Sequence, residues 1–390
     1  MRRTVLILCP QQRDVALVDA AGVEAYDVRF AGPDLDALPS FDAAALLAEL
    51  ESVPADGVAG TKDRSALLAS VVAERRGLPG PSPHAVASCQ HKPTARRIQQ
   101  RAVPEATPRF ADVAAEPPPF GPPWFVKPAV GRLSQRARLV RDVPQRPDGE
   151  GDDAYASGWE QIAALAGLDL SARGLLAEEV LSGDLVTLEG YVHAGRVVVL
   201  GVTDSVMYPG TDSFERFEYP SRLPVERQAE LGDVARRLLP AFGFDGGFFN
   251  VEFFVPDTGS ARIVEVNARL ASQFAPLYQA VHRRSSYGAL LALACGDDPG
   301  WHTTEPDGVA VSYVRRVFDD AFVEEAPGGR PDVEILAPAG RNLSDSYAND
   351  PGSYRLAIVY EAGETREEAV ERARRRAETL RFRLAPPRVP

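Results

Sequence analysis

Two apolar runs, Phe249-Asn250-Val251-Glu252-Phe253-Phe254-Val255 and Arg262-Ile263-Val264-Glu265-Val266-Asn267, flank the stretch Pro256-Asp257-Thr258-Gly259-Ser260. The proline, aspartate and glycine of that stretch each favour a tight reversal, so the runs form a β-hairpin. Its register decides what the hairpin presents. Pairing Val255 with Ala261 sets Glu252 opposite Val264, whereas pairing Val255 with Arg262 sets Glu252 opposite Glu265. In the second register the period of two gathers Asn250, Glu252, Glu265 and Asn267 on one face. Carboxylates ~5 Å apart repel by roughly 3 kcal/mol at an effective dielectric of ~20, and sheets avoid directly opposed like charges. A divalent cation reverses that sign. Carboxylate and amide oxygens on rigid strands are hard donors, suited to Mg²⁺ that keeps several waters and bridges phosphates. An ordinary hairpin with a solvated acidic face is the alternative.

With 390 residues, 45% of them hydrophobic, the chain has enough core for two or three domains. A formal net charge of −12 argues against a general nucleic-acid or anionic-membrane binder, so local chemistry must carry any anion binding. Cys9, Cys89 and Cys295 are isolated, with no CxxC spacing, which suits a reducing compartment. The apolar run Val5–Cys9 ends at Pro10, too short for a signal peptide, and no segment reaches transmembrane length. The expectation is a cytoplasmic protein. Of 43 basic residues only Lys62, Lys92 and Lys127 are lysine. Where arginine serves nearly every positive position, a retained lysine suggests a compact point charge for phosphate in a confined site.

Thr4–Cys9 reads as a buried parallel strand, and helix-like and strand-like stretches alternate after it to about Ala87. This is a doubly wound α/β pattern without the GxGxxG fingerprint. From Ser88 a helix opens with Lys92 near its first turn, and residues 117–123 lead into a strand ending at Lys127. A polar stretch at 144–153 precedes a helix over about 153–166. Strands follow at 175–181, 185–193 and 196–202, with turns at Gly183-Asp184 and Ala194-Gly195. A loop spans 204–223, a helix 225–242, and the chain closes with a strand at 355–360 and a charged helix at 366–383. The domain expectation is an N-terminal α/β unit at 1–87, a central region at 88–180 with a lid over about 128–175, and a core with a C-terminal extension at 181–390.

Lysine at a helix start, Lys127-Pro128-Ala129-Val130-Gly131 at a strand end, Glu178-Glu179-Val180-Leu181, then Glu252 and Glu265-Val266-Asn267-Ala268-Arg269 follow one another in an order that resembles the ATP-grasp superfamily. The likeness covers roughly residues 1–300, with an extension similar to the L-amino-acid ligase and biotin carboxylase branches. It implies an α/β ATP-grasp fold: an N-terminal doubly wound α/β domain, a small lid and a C-terminal α+β core. By resemblance, Lys92 and Lys127 hold ATP phosphates. The side chain of Glu178 and the backbone of Glu179 and Leu181, with Val180 between them, read adenine, and Asp184 stands where the family has Glu for the ribose. Glu252, Glu265 and Asn267 match the Mg²⁺ ligands, with Mn²⁺ as a substitute. Arg269 and Lys127 match the catalytic cations beside the transferring or tetrahedral centre.

The resemblance also implies a carboxylate–amine ligase that forms an amide or peptide bond through an acylphosphate on amino-acid-like substrates and releases ADP and phosphate. Small-molecule carboxylate and amine substrates are its partners, without nucleic acid or membrane, and a homodimer is compatible with it. Arg216, Arg315 and Arg316 are weaker candidates for clamping a substrate carboxylate, and Ser272 and Gln273 for lining the acceptor site. Two departures stand out. The phosphate-covering loop reads Gly131-Arg132-Leu133-Ser134-Gln135-Arg136-Ala137-Arg138, with one glycine and three arginines, and Ala271-Ser272-Gln273-Phe274-Ala275-Pro276 lacks the ligases' glycines. A bicarbonate-activating enzyme of the biotin carboxylase kind and a nucleotide-binding scaffold without turnover are the alternatives. Histidine catalysis has no support: His84, His91, His193, His282 and His302 form no HxxxH or HExxH, and GxSxG is absent.

Overall fold

A computed structural model describes residues 2–21, 23–113, 118–132, 136–142, 154–301, 306–346 and 352–388. The stretch at 144–153 and Leu133, Ser134 and Gln135 of the arginine-bearing loop fall outside them. The N-terminal unit is a parallel sheet in which Arg3–Leu8 lies between Tyr26–Ala31 and Gly57–Ala59. Val5, Leu6, Ile7 and Leu8 are all buried, as a central strand covered on both faces requires. Helices Gln12–Ala20 and Asp63–Arg76 leave the carboxyl ends of the first and third strands.

Pro93 accounts for the position of the next helix. A proline inside a continuous helix loses a backbone hydrogen bond and clashes with the carbonyl four residues back. Helix Pro83–Gln90 therefore ends, His91 is extended, and helix Lys92–Ala102 starts afresh with proline in its first turn. Ser88 accordingly belongs to the preceding helix rather than opening this one.

A four-stranded antiparallel sheet follows, ordered Phe110–Asp112, Leu175–Glu179, Trp124–Pro128, Arg138–Val140. Helix Ala154–Leu165 buries Trp159 completely. The largest sheet has eight strands, all paired antiparallel: Arg262–Asn267, Gly247–Val255, Asp184–His193, Arg196–Met207, Phe214–Tyr219, Val309–Val317, Tyr354–Gly363 and Val333–Ile335. The hairpin with the two glutamates forms one edge of this sheet. Helix Val225–Ala241 packs Leu231, Leu238 and Leu239 into the same core as Phe249, Val251, Phe253 and Val255 of the hairpin.

The region 204–223 is not the loop expected, since Arg196–Met207 runs on and pairs with Phe214–Tyr219. The last helix, Arg366–Thr379, stops short, because Arg383–Ala385 pairs with Phe322–Glu325 instead. With strands and helices mixed throughout, the fold class is the α/β one anticipated.

Candidate active site

The hairpin uses both registers. Near the turn Phe254 faces Arg262 and Phe253 faces Ile263, whereas beyond a β-bulge Glu252 faces Glu265, Val251 faces Val266 and Asn250 faces Asn267. The extra residue is Val264. Packing explains it: Ile263 and Val266 are both buried in the main core, yet residues three apart lie on opposite faces of a regular strand. One inserted residue lets both face inward and turns Glu265 and Asn267 to the polar face beside Glu252 and Asn250.

A bulge also leaves a carbonyl outside the ladder, and Val264 O accepts from two cations, Arg96 Nη2 at 2.8 Å and Lys127 Nζ at 3.2 Å. Lys127 Nζ lies 2.8 Å from Glu178 Oε2, and Arg96 Nε donates to Glu178 Oε1 at 2.7 Å. Strand pairing sets this up, because Phe125 lies opposite Glu178 and Lys127 shares the face of Phe125. Arg96 is one helical turn beyond Lys92, so both project from one face of their helix. Lys92 Nζ reaches Glu265 Oε1 at 2.9 Å, and Lys92 N–H donates to Ala129 O, tying the helix to the segment after Lys127.

Asn267 Nδ2 donates to Asn250 Oδ1 at 2.9 Å and approaches Glu252 Oε1 at 3.4 Å. Arg269 Nε donates to Asp63 Oδ1 at 2.6 Å, joining the hairpin end to the helix that begins at Asp63. Burial pushes Glu252 up to about 7, and the facing Glu265 adds to the rise, while Arg269, Lys127 and Lys92 oppose it. Burial alone would raise Glu178 as well, but Arg96 and Lys127 outweigh it and hold its carboxyl below the usual range. Among the described residues there is no cluster of three His, Cys, Asp or Glu side chains suited to a metal. Two facing carboxylates and an amide oxygen still fit a Mg²⁺ that takes its remaining ligands from water and phosphate.

Several other predicted positions are distributed differently. Glu178 is 1% exposed and both of its oxygens are engaged, so its side chain is not turned outward to a base. The reason is electrostatic: two buried cations need that carboxylate. Glu179 pairs with Arg109 Nε at 2.8 Å, Val180 is half-exposed, Leu181 is partly exposed, and Asp184 is exposed at the start of its strand. Gly183, at φ 123°, keeps that turn close to the hairpin, since a Cβ there would lie 2.4 Å from Val255 O. Arg216 is held by Glu215 and Glu218 of its own strand. Arg315 donates to the carbonyls of Ala377 and Leu380 at the end of the last helix, and Arg316 to Phe214 O and Ser353 Oγ. Arg315 and Arg316 thus tie neighbouring segments together, while Arg216 is engaged within its own strand. Ser272 lies beside Lys62, and Gln273 is partly exposed in the same turn.

Sequence reasoning passed over Arg96, Asp63 and Glu189. Arg96 was detectable from its spacing of four from Lys92. Glu189 lies opposite Asn250 on the next strand, so the period of two puts it on the polar face, where it accepts the Ala271 N–H at 2.5 Å. Burial pushes Glu189 up to about 8, with the Ala271 N–H pulling the other way.

Glu252 and Glu189 therefore give the metal-free protein a definite pH response. Each stays protonated in the fold at pH values where the unfolded chain, near 4.5, has already ionised. Their contribution is fully present below about 4.5 and is lost as pH rises through about 7 and 8. Glu178, held low, acts oppositely and loses its contribution only as pH falls below the ordinary carboxylate range. Thermal melts without metal should show a midpoint falling from pH 5 to pH 8, with a shallower fall in Glu252→Gln. An equal slope in that variant would show that Glu252 is not buried as a neutral acid.

Residues 120–276 match the family model described as an ATP-grasp domain. An uncharacterized protein of Sinorhizobium fredii, y4rH, is 29% identical over 299 residues, which are 73% of this chain and 57% of that protein. Carnosine synthase 1 of Gallus gallus is 29% identical over 255 residues, 60% of this chain and 26% of its own length. The chain thus spans less than two thirds of either relative. The crystal structure of L-amino acid ligase from Bacillus licheniformis superposes with a TM-score of 0.75 at 19% identity, covering 98% of this chain and 99% of that one. The biotin carboxylase domain of Hydrogenobacter thermophilus 2-oxoglutarate carboxylase, in complex with MgADP, ADP and bicarbonate, superposes with a TM-score of 0.70 at 15% identity, covering 98% and 91%. Among the described residues no helix is long and apolar enough to cross a membrane.

Proposed function

We propose that the chain, whose residues 120–276 match the ATP-grasp domain model and whose fold is shared with L-amino acid ligase, is an ATP-dependent ligase joining a carboxylate to an amine. The observation that carries the reading is the facing of Glu252 and Glu265 across the bulged hairpin, with Asn267 beside them and the ammonium groups of Lys92 and Lys127 bonded to Glu265 and Val264 O. Facing acids, an amide and two cations drawn from four elements suit a nucleotide's phosphates and their counter-ion better than a solvated hairpin face.

A divalent cation held by Glu252, Glu265 and Asn267 Oδ1 would offset charge on the transferring phosphoryl group. Lys127 and Lys92 supply further positive charge from fixed positions, so little reorganisation accompanies the transfer. A substrate carboxylate oxygen forms a bond to the γ-phosphorus as the bond to the β–γ bridging oxygen breaks, which gives an acylphosphate and ADP. An amine nitrogen then bonds to the acyl carbon, the carbon–oxygen bond to phosphate breaks, and the proton lost from nitrogen leaves with the phosphate. Arg269 stabilises the oxyanion of that second step, with its guanidinium oriented by Asp63. The half-exposed Val180 offers an apolar surface for the adenine ring beside the backbone of Glu179 and Leu181.

The test is ADP release from MgATP across pairs of amino acids. Release that requires both an amino acid carboxylate and an amine is the expected result. Release driven by bicarbonate without an amine would assign the chain to the carboxylase kind, and tight ATP binding with no release would leave a scaffold.

A further inference from the structure

Arg269 lies past the end of its strand. The ladder between the hairpin strands runs out at the pair Asn250 and Asn267, so the backbone from Ala268 to Ala271 is outside it. That stretch is nevertheless buried, with Ala268, Leu270 and Ala271 at 5% exposure or less, and buried backbone groups need partners. Two side chains of the sheet supply them. Asn250 Nδ2 donates to Arg269 O at 3.1 Å, and Ala271 N–H donates to Glu189 Oε1 at 2.5 Å. Glu189 and Asn250 are paired across neighbouring strands, so the two clamps stand side by side. One grips the chain at Arg269 and the other grips it two residues further on.

Glu189 is a poor choice for stability alone. It is fully buried, and its Oε2 has no hydrogen-bond partner among the described residues, a condition shared by Thr203 Oγ1 and Tyr278 Oη. An unpaired buried oxygen destabilises a fold, and an apolar side chain of the same shape would avoid that cost. What Glu189 does hold is the bend beside Arg269, which is close enough to act on its carboxyl. Asp63 fixes the tip of the Arg269 side chain. The two backbone clamps fix its root, and a guanidinium is aimed only when both ends are set.

Resting on the ligase reading, we propose that Glu189 is a positioning residue for amide formation: by holding the Ala271 N–H it fixes the bend that carries Arg269 and aims the guanidinium at the oxyanion of the second step. Glu189 acts through Arg269 and not on the reactants. The first step, phosphoryl transfer, draws on Lys92, Lys127 and the hairpin acids, which are held by other contacts. Loss of Glu189 therefore separates the two steps.

The experiment compares the full-length wild type with Glu189→Leu, which fills the space without an acceptor, and Glu189→Gln, which keeps an oxygen for the Ala271 N–H. Glutamine also resembles the neutral acid that burial favours, since the carboxyl is pushed up to about 8. If Glu189→Leu does not fold, Glu189→Asp, one methylene too short to reach, takes its place. Hydrogen–deuterium exchange of the nucleotide-free chain reads the bend directly. The Ala271 amide should exchange about tenfold faster in Glu189→Leu and at the wild-type rate in Glu189→Gln. Kinetics with ATP, Mg²⁺ and pairs of L-amino acids then follow ADP and amide, and a second series replaces the amine with hydroxylamine, which takes the acyl group as a hydroxamate and frees phosphate. Amide formation should fall about tenfold or more in Glu189→Leu, because misplacing a group by ~1 Å can cost on the order of 10²-fold. ADP release with hydroxylamine should stay within about twofold of wild type, and Glu189→Gln should restore the amide. Unchanged exchange at Ala271, an equal loss of both steps, or a Glu189→Gln variant as impaired as Glu189→Leu would each overturn the proposal. A wild type that releases no ADP would sink the ligase reading, and the exchange contrast would then decide by itself whether Glu189 holds Arg269 in place.

Discussion

Replacing Glu265 with glutamine lowers ADP formation by about 10³-fold, the scale of several kcal/mol of lost charge stabilisation at the phosphoryl group. The same change should hardly affect stability. Glu265 is partly exposed, and the loss of its pair with Lys92 is offset by relief of its repulsion with the facing Glu252. The combination of a large kinetic loss and a near-normal melt is what separates a metal ligand from a structural acid. Glutamine keeps the size and one oxygen of the side chain, so the hairpin register and the packing of Ile263 and Val266 are retained. ADP release by Glu265→Gln at the wild-type rate would refute the metal role.

The second large effect concerns stability and contrasts two adjacent glutamates. Glu178→Gln leaves the buried guanidinium of Arg96 and ammonium of Lys127 facing a neutral amide. Breaking a buried charge cluster by removing one partner costs about 3–5 kcal/mol. Glu179→Gln instead loosens a pair with Arg109, whose side chain is 66% exposed, and should cost under about 1 kcal/mol. Chemical denaturation of both variants without nucleotide measures the contrast. Similar losses for the two would mean that the Arg96–Glu178–Lys127 cluster does not hold the four-stranded sheet to the hairpin. The cluster also gives Glu178 a role the family resemblance did not supply: it fixes the height of Lys127, whose ammonium then reaches Val264 O.

The hairpin was legible in the sequence because turn chemistry and alternation are local. The bulge was not, since a period-of-two reading assumes one unbroken register, and only the joint burial of Ile263 and Val266 forces the extra residue. The two registers considered from the sequence both occur, on either side of Val264. Lys92 at a helix start was readable from Pro93, but the break at His91 was harder to see because the residues before it are also helical and run directly into it. The strand Phe214–Tyr219 escaped notice because Phe214, Glu215, Arg216, Phe217, Glu218 and Tyr219 do not alternate strictly. Its pairing with Val309–Val317 comes from about a hundred residues away. Long separation likewise hid Arg96–Glu178, Arg269–Asp63 and Lys62–Ser272, which join segments 82, 206 and 210 residues apart. Residue types and order point to the chemistry, while these distant contacts are what orient it.

The central claim is that Glu252 and Glu265 converge to hold a divalent cation against a nucleotide's phosphates. Titration of Mn²⁺ in the presence of ADP, followed by electron paramagnetic resonance, reads this directly in the wild type and in the Glu252→Gln/Glu265→Gln double variant. The account predicts tight ADP-dependent Mn²⁺ binding that weakens by about 100-fold or more in the double variant. Equal Mn²⁺ binding by the two proteins would contradict it.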